Sequence, residues 1–100
     1  MMRITVDKWR DFCQEFAGFF QHINGSLECT DEQVTFRSPV NRVSTHLSVF
    51  RNGEFSATMP LHGIDSKISE AIFNVQEKSV QLLGEAVDYT YRVPSELQSK

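Results

Sequence analysis

The alternating stretch from Arg42 to Phe55, RVSTHLSVFRNGEF, constrains the fold of this chain more than any other feature. Two runs of alternating apolar and polar residues meet at Asn52-Gly53, a dipeptide typical of β-hairpin turns. Side chains along a strand point alternately to opposite faces, so the register of this hairpin decides which of them contact the core. The stretch therefore predicts an antiparallel hairpin whose outward-facing residues depend on the length of its turn.

Two turn lengths are compatible with this hairpin. A two-residue turn pairs Phe50 with Phe55 and mixes apolar with polar side chains on each face of the sheet. A three-residue loop, 51–53, pairs Val49 with Phe55 and gathers the apolar residues on one face. The same register gives the pairs Leu47–Ala57 and Thr45–Met59. We therefore predict the three-residue loop, with Gly53 in the left-handed conformation of a G1 bulge, and keep the two-residue turn as the alternative.

The three-residue loop turns a set of polar, basic and aromatic residues away from the core. The candidate partner-binding residues are Arg37, Arg42, His46, Phe50 and Arg51. Arginines with an interleaved aromatic residue can dock an acidic protein segment, or can neutralise phosphates and stack nucleobases. The region 33–53 contains three arginines and no acidic residue. An ordinary solvated sheet face with one exposed phenylalanine is the plain alternative.

A wide aromatic stripe predicts a helix over residues 6–23, with Thr5 as its N-cap and Asn24-Gly25 as the left-handed cap that ends it. At 100° per residue the apolar side chains share one face. The stripe consists of Trp9, Phe12, Cys13, Phe16, Phe19, Phe20 and Ile23. We expect it to form the helical half of the core. The alternative is that Phe12 and Phe19 stay exposed and pack on a second copy or a partner.

The remaining segments predict short strands and a second helix. Residues 26–30 and 33–38 predict strands around a turn at Asp31-Glu32. Residues 65–77 follow a helical period, with Asp65 or Ser66 as the N-cap and with Ile68, Ala71, Ile72 and Val75 on one face. Residues 78–83 are compatible with either helix or strand. The final strand places its apolar residues on one side: Val87, Tyr89, Tyr91 and Val93.

These elements follow the order α-β-β-β-β-α-β. Hairpins bracketed by two helices indicate an α+β fold, a two-layer sandwich in which two helices lie on one face of an antiparallel sheet of about five strands. One hundred residues make one domain, which we assign to residues 1–94, with residues 95–100 as a polar C-terminal tail.

The composition excludes several functional classes. Apolar residues make up 40% of the chain and the formal net charge is −3, unlike the strong positive charge of a dedicated nucleic-acid-binding domain. The three histidines lie in separate elements, so no metal or cofactor is expected. Neither cysteine belongs to a CxxC motif; we expect Cys13 to be an inert core thiol, and the role of Cys29 stays open. No segment is apolar enough to span a bilayer or to act as a signal peptide, so a cytoplasmic location without membrane contact is expected.

The sequence therefore predicts a small, non-enzymatic binding or regulatory module that acts through protein–protein contacts. We expect it to self-associate as a homodimer, because symmetric dimers are common and the chain is rich in aromatic residues. The alternative is a nucleic-acid-binding domain that uses the sheet face with Arg37, Arg42, His46 and Phe50.

Overall fold

The computed structural model describes residues 2–39, 45–59 and 62–98. Within these ranges the chain forms one α-helix and nine strands, followed by a short 3-10 turn. The elements are β1 (Met2–Thr5), α1 (Trp9–Phe20), β2 (Ser26–Cys29), β3 (Gln33–Arg37), β4 (His46–Phe50), β5 (Glu54–Met59), β6 (His62–Lys67), β7 (Glu70–Asn74), β8 (Ser79–Leu83), β9 (Asp88–Arg92) and the turn Ser95–Leu97. The fold is α+β, as predicted. The predicted single sheet with two helices on one face is wrong, because the described residues form two sheets and one helix. The predicted element order is wrong as well.

The strands form two antiparallel sheets. The five-stranded sheet has the order β2-β3-β4-β5-β6, and the four-stranded sheet has the order β1-β7-β8-β9. The N-terminal strand β1 pairs with β7, so the two sheets are not consecutive halves of the chain. Apolar side chains from the facing surfaces of both sheets and from α1 form one core.

The helix fills the space between the two sheets on one side of the molecule. Phe20 stacks on Phe36 of the five-stranded sheet, with ring centroids 4.3 Å apart. Phe16 and Phe19 lie against Phe73 of the four-stranded sheet, at centroid distances of 6.2 and 5.7 Å. The predicted stripe is confirmed, because all of its residues are buried: Trp9, Phe12, Cys13, Phe16, Phe19, Phe20 and Ile23.

The burial of Phe12 and Phe19 contradicts the alternative in which the edge of this stripe stays exposed for a partner. The predicted helix boundaries are also wrong. Thr5 belongs to β1, where it pairs with Glu70, and the helix begins at Trp9 without a side-chain cap. Residues before the helix are extended because β7 offers them a strand to pair with, a long-range contact that outweighs the local capping preference.

The end of α1 also differs from the predicted left-handed cap. The helix stops at Phe20, and the next residue, Gln21, keeps a right-handed conformation. Gly25 lies further on, where the chain passes close to β3. A Cβ atom at Gly25 would lie 2.4 Å from the carbonyl oxygen of Arg37. The glycine is therefore required by this close approach rather than by the helix end.

The predicted register of the β4–β5 hairpin is confirmed. Val49 pairs with Phe55 and Leu47 pairs with Ala57, and these four side chains are buried. In the loop, the Gly53 N–H donates to the Phe50 carbonyl over 2.9 Å, and Gly53 has a φ of 97°. The β2–β3 hairpin around Asp31-Glu32 is confirmed as well.

The predicted second helix is wrong, because residues 65–77 belong to two strands and the turn between β7 and β8. Asp65 and Ser66, the expected N-caps, lie within β6. In β7, Ala71 and Phe73 are buried, and Ile72 lies on the opposite face. The segment between β6 and β7 crosses from one sheet to the other, and the Ile68 N–H donates to the Gly53 carbonyl over 2.8 Å. Residues 79–83 form β8, so the open choice there resolves to a strand.

The C-terminal strand β9 completes the core, and the Tyr91 ring lies 6.2 Å from the ring of Phe20 in α1. Tyr91 and Val93 are buried, and Val87 and Tyr89 pack partly against the core, as their spacing predicts. Beyond them, in the segment expected to be a polar tail, the Leu97 side chain is fully buried and its carbonyl accepts a hydrogen bond from the Asn24 N–H over 2.8 Å.

Candidate functional site

The structure divides the predicted site residues between two places. Arg37, His46 and Phe50 lie on the outer face of the five-stranded sheet, the face that points away from α1 and the other sheet. Arg51 lies in the β4–β5 loop, at a cleft beside α1. Arg42 lies outside the described residues. The four described residues therefore do not form a single site.

On the outer face, Arg37 and His46 lie directly opposite each other on neighbouring strands. Burial and then the positive charge of Arg37 lower the pKa of His46 from its usual value, which favours the neutral ring at pH 7. The ring Nε2 lies 3.4 Å from the Ser56 hydroxyl. His46 is thus a partly buried polar group within the sheet surface.

The centre of the outer face is closed by hydrogen bonds between its own side chains. The Thr35 and Ser48 hydroxyls lie 2.9 Å apart, and both side chains are buried although they point away from the core. Gln33 donates to Thr35 over 3.0 Å. Phe50, beside Gln33, is half-buried. These contacts leave few open polar groups at the middle of this face.

The charges on the outer face are mixed. Residues paired directly across antiparallel strands share a face, so the rows of the sheet identify the charged side chains. Among the described residues, the cations are Arg37 and Lys67, and the acids are Glu28, Glu54 and Asp65. The region 33–53 is locally basic in sequence, but β2, β5 and β6 bring acidic residues beside it. This balance weighs against a nucleic acid as the occupant of this face.

The second candidate region is the free edge of β2. All four residues of β2 are exposed, and Leu27 keeps 40% of its surface accessible although its side chain points to the core side of the sheet. Strand β2 is an outermost strand of the five-stranded sheet. An apolar side chain on an edge strand that no other described strand covers is an unusual feature, because such edges promote pairing with another chain.

The hydrogen-bond pattern shows which backbone groups of β2 point away from β3. The Thr30 N–H donates to the Gln33 carbonyl over 2.8 Å. Backbone groups along an antiparallel strand point alternately toward and away from the neighbour. Glu28, two residues before Thr30, therefore faces β3, and the N–H and C=O groups of Leu27 and Cys29 point to the open edge.

The cleft beside α1 adjoins the end of this edge. It has a volume of about 500 Å³ and is lined by Asp7, Trp9, Arg10, Cys13, Gln14, Cys29, Thr30, Asp31 and Arg51. The Arg51 guanidinium donates to the Asp31 carbonyl over 3.4 Å, which ties the β4–β5 loop to the β2–β3 turn. Within the described part of the chain, no group of three or more His, Cys, Asp or Glu side chains is arranged to hold a metal ion.

Sequence reasoning missed both the β2 edge and the proximity of the two cysteines. The alternation in SLEC indicated a strand, but it carried no signal that the strand lies at the edge of a sheet. Cys13 and Cys29 share no spacing motif, and only the packing of α1 against β2 brings them to one cleft.

No family model, no curated protein and no solved structure matches this chain. In the ranges that the structure describes, no helix is long and apolar enough to cross a membrane. The edge of β2 and the cleft beside α1 are therefore the features that indicate a function.

Proposed function

We propose that this chain is a small, non-enzymatic protein-binding module that works through the free edge of β2, and that its partner at this edge is a second copy of the chain. One observation carries the proposal: Leu27 exposes its side chain on an edge strand, and its backbone N–H and C=O point away from β3. A strand added to such an edge gains main-chain hydrogen bonds and covers the apolar side chain.

The sequence of β2 suits pairing with itself in one register. In a continuous sheet formed around a two-fold axis, residues that lie opposite each other share a face. Of the two registers that overlap most, one places Glu28 opposite Glu28 of the second copy, which repels. The other places Leu27 opposite Leu27 and Ser26 opposite Glu28. This register joins the apolar side chains and opposes no like charges.

Two of the other three edge strands, β6 and β9, suit this pairing less well. The remaining edge strand, β1, exposes Met2 and carries one charged residue, Arg3. Strand β6 carries both Asp65 and Lys67, and β9 carries Asp88 and Arg92. Charged residues on an edge strand oppose its addition to another sheet. In β2 the only charged residue is Glu28.

Sedimentation equilibrium over a wide concentration range tests the proposal. An interface limited to one short strand is small, so we expect a reversible dimer with a dissociation constant in the micromolar range or weaker. Leu27→Lys places a buried charge in the interface and is expected to give a monomer at the same concentrations. Thr90→Lys, on the exposed face of the edge strand β9, is the matched control and should dimerise like the wild type.

A wild-type chain that stays monomeric at millimolar concentration contradicts the proposal. So does a Leu27→Lys variant that dimerises as strongly as the Thr90→Lys control. Circular dichroism of both variants checks that the substitutions leave the fold intact.

A further inference from the structure

The two cysteines of the chain come from different elements and meet at one cleft. Cys13 belongs to the buried stripe of α1, and Cys29 is the exposed last residue of β2. Both line the cleft of about 500 Å³ beside the β4–β5 loop. A reagent can therefore reach Cys29 from solvent, whereas Cys13 is buried.

The environment gives the two thiols different reactivity. Burial, followed by the neighbouring Cys29 side chain, raises the pKa of Cys13 to about 12, and the positive charge of Arg51 opposes this rise. Since the thiolate is the nucleophile, Cys13 is a slow attacker at neutral pH. Cys29 is exposed, and its side chain is close enough to Cys13 to contribute to that shift.

We propose that Cys29 is a site of thiol–disulfide exchange with a small disulfide of the glutathione type, and that Cys13 resolves the adduct into a Cys13–Cys29 disulfide. The exposed thiol reacts first because it is accessible. The buried thiol reacts second because the adduct brings an electrophilic sulfur to its position in the cleft.

The exchange is balanced in two steps. The Cys29 thiol loses its proton to water, and its thiolate attacks one sulfur of the small disulfide; the reagent's S–S bond breaks and one small thiolate leaves. The Cys13 thiol then loses its proton, and its thiolate attacks the Cys29 sulfur and releases the second small thiolate. Two protein thiols are oxidised by two electrons in total, and one small disulfide is reduced to two thiols.

The product ties the N-terminal half of α1 to the end of β2. This bond closes a loop of about 15 residues, which restricts the unfolded chain and is expected to raise the melting temperature by on the order of 10 °C. The link also holds the edge of β2 against the helix. The inference does not depend on the dimer, because both cysteines belong to the same chain.

To test this, the reduced protein is incubated at low micromolar concentration with glutathione disulfide. The reaction is followed by the mass of the intact protein and by peptide mapping. The wild type is expected first to gain the mass of one glutathione. It then releases this glutathione and ends two hydrogens lighter than the reduced chain, with residues 13 and 29 in one cross-linked pair of peptides. Cys13→Ala should stop at a stable glutathione adduct on Cys29. Cys29→Ser should remain unmodified, because the remaining thiol is buried.

The pH dependence separates the two steps. The second step needs the Cys13 thiolate, so its rate should rise by about tenfold for each pH unit through the neutral range. A wild-type chain that keeps the glutathione adduct indefinitely at pH 9 overturns the proposal. A product linked between two chains through Cys29 also overturns it. Both results are read on the wild type, so the proposal stays testable even if a cysteine variant fails to fold.

Discussion

The two sides of the sandwich are closed by different means. On the helix side, aromatic rings of α1 occupy the space between the sheets, and Phe73 touches the rings of Phe12, Phe16 and Phe19. On the opposite side the sheets meet directly through Phe55 and Tyr89, whose ring centroids are 6.2 Å apart. The helix side is therefore stabilised by the packing of buried aromatic rings.

A buried hydrogen bond also links the two sheets at Tyr91, whose ring lies 6.2 Å from that of Phe20 at the C-terminal end of α1. The Tyr91 hydroxyl lies 2.9 Å from Thr45 Oγ1, and the Thr45 hydroxyl itself donates to the Thr58 carbonyl over 2.7 Å. Tyr91 is therefore the donor to Thr45. This chain of bonds links β9 of one sheet to the β4–β5 hairpin of the other. Apolar packing therefore supports the sheets where α1 lies between them, and this polar link joins the two sheets directly.

The largest expected effect is on the helix side. Phe73→Ala removes a buried ring that contacts three rings of α1, and the cavity cannot refill without moving the helix. We expect a loss of about 3–5 kcal/mol in the free energy of unfolding, measured by urea denaturation. A loss of this size is a large fraction of the stability of a 100-residue domain.

Tyr89→Ala on the opposite side is the matched comparison. Tyr89 is only partly buried and meets a single ring, so we expect a clearly smaller loss than for Phe73→Ala. Equal losses in the two variants show that the distinction between the two sides is wrong.

The contrast also explains which parts of the fold could be predicted. The stripe of α1 and the register of the β4–β5 hairpin follow from local periodicity, because each buries one face along its own length. Residues 65–77 showed a helical period through Ile68 and Ile72, but Ile68 crosses between the sheets and Ile72 points outward. The strands available for pairing determine the secondary structure of this segment, and a single sequence contains no information on which strands those are.

A smaller effect is expected from the polar link. Tyr91→Phe keeps the ring and removes the hydroxyl, which leaves Thr45 Oγ1 without this donor. We expect a loss of about 1–2 kcal/mol at pH 7, measured by urea denaturation. An unchanged free energy of unfolding contradicts the role of this bond in joining the two sheets.

The same substitution changes the response to alkaline pH. Burial raises the pKa of Tyr91 to about 12, above its ordinary value of 10.0. The unfolded chain loses this proton at a lower pH than the folded chain, so the contribution is complete below pH 10 and is lost as pH rises toward 12. We expect the wild type to lose stability across this window more steeply than Tyr91→Phe.

The candidate site was less predictable than the fold, for a related reason. Arg37, His46 and Phe50 lie on one sheet face as predicted, but this face also carries Asp65 of β6, a position that the sequence pattern assigns to a helix N-cap and not to a strand. The edge position of β2 is likewise a property of the whole topology. The meeting of Cys13 and Cys29 depends on how α1 lies across the sheets, which no local pattern encodes.

The smallest expected effect tests the helix itself. Gly18 lies on the exposed face of α1, and a Cβ atom there would meet no other atom within 4 Å. Gly18→Ala should therefore stabilise the protein by about 0.5–1 kcal/mol, because alanine loses less backbone entropy on forming a helix. Urea denaturation measures the gain, and Gly53→Ala should show the opposite sign, since Gly53 has a φ of 97°. If Gly18→Ala leaves the free energy of unfolding unchanged while Phe73→Ala lowers it strongly, the helix side is limited by its packing against the sheets and not by the intrinsic stability of α1.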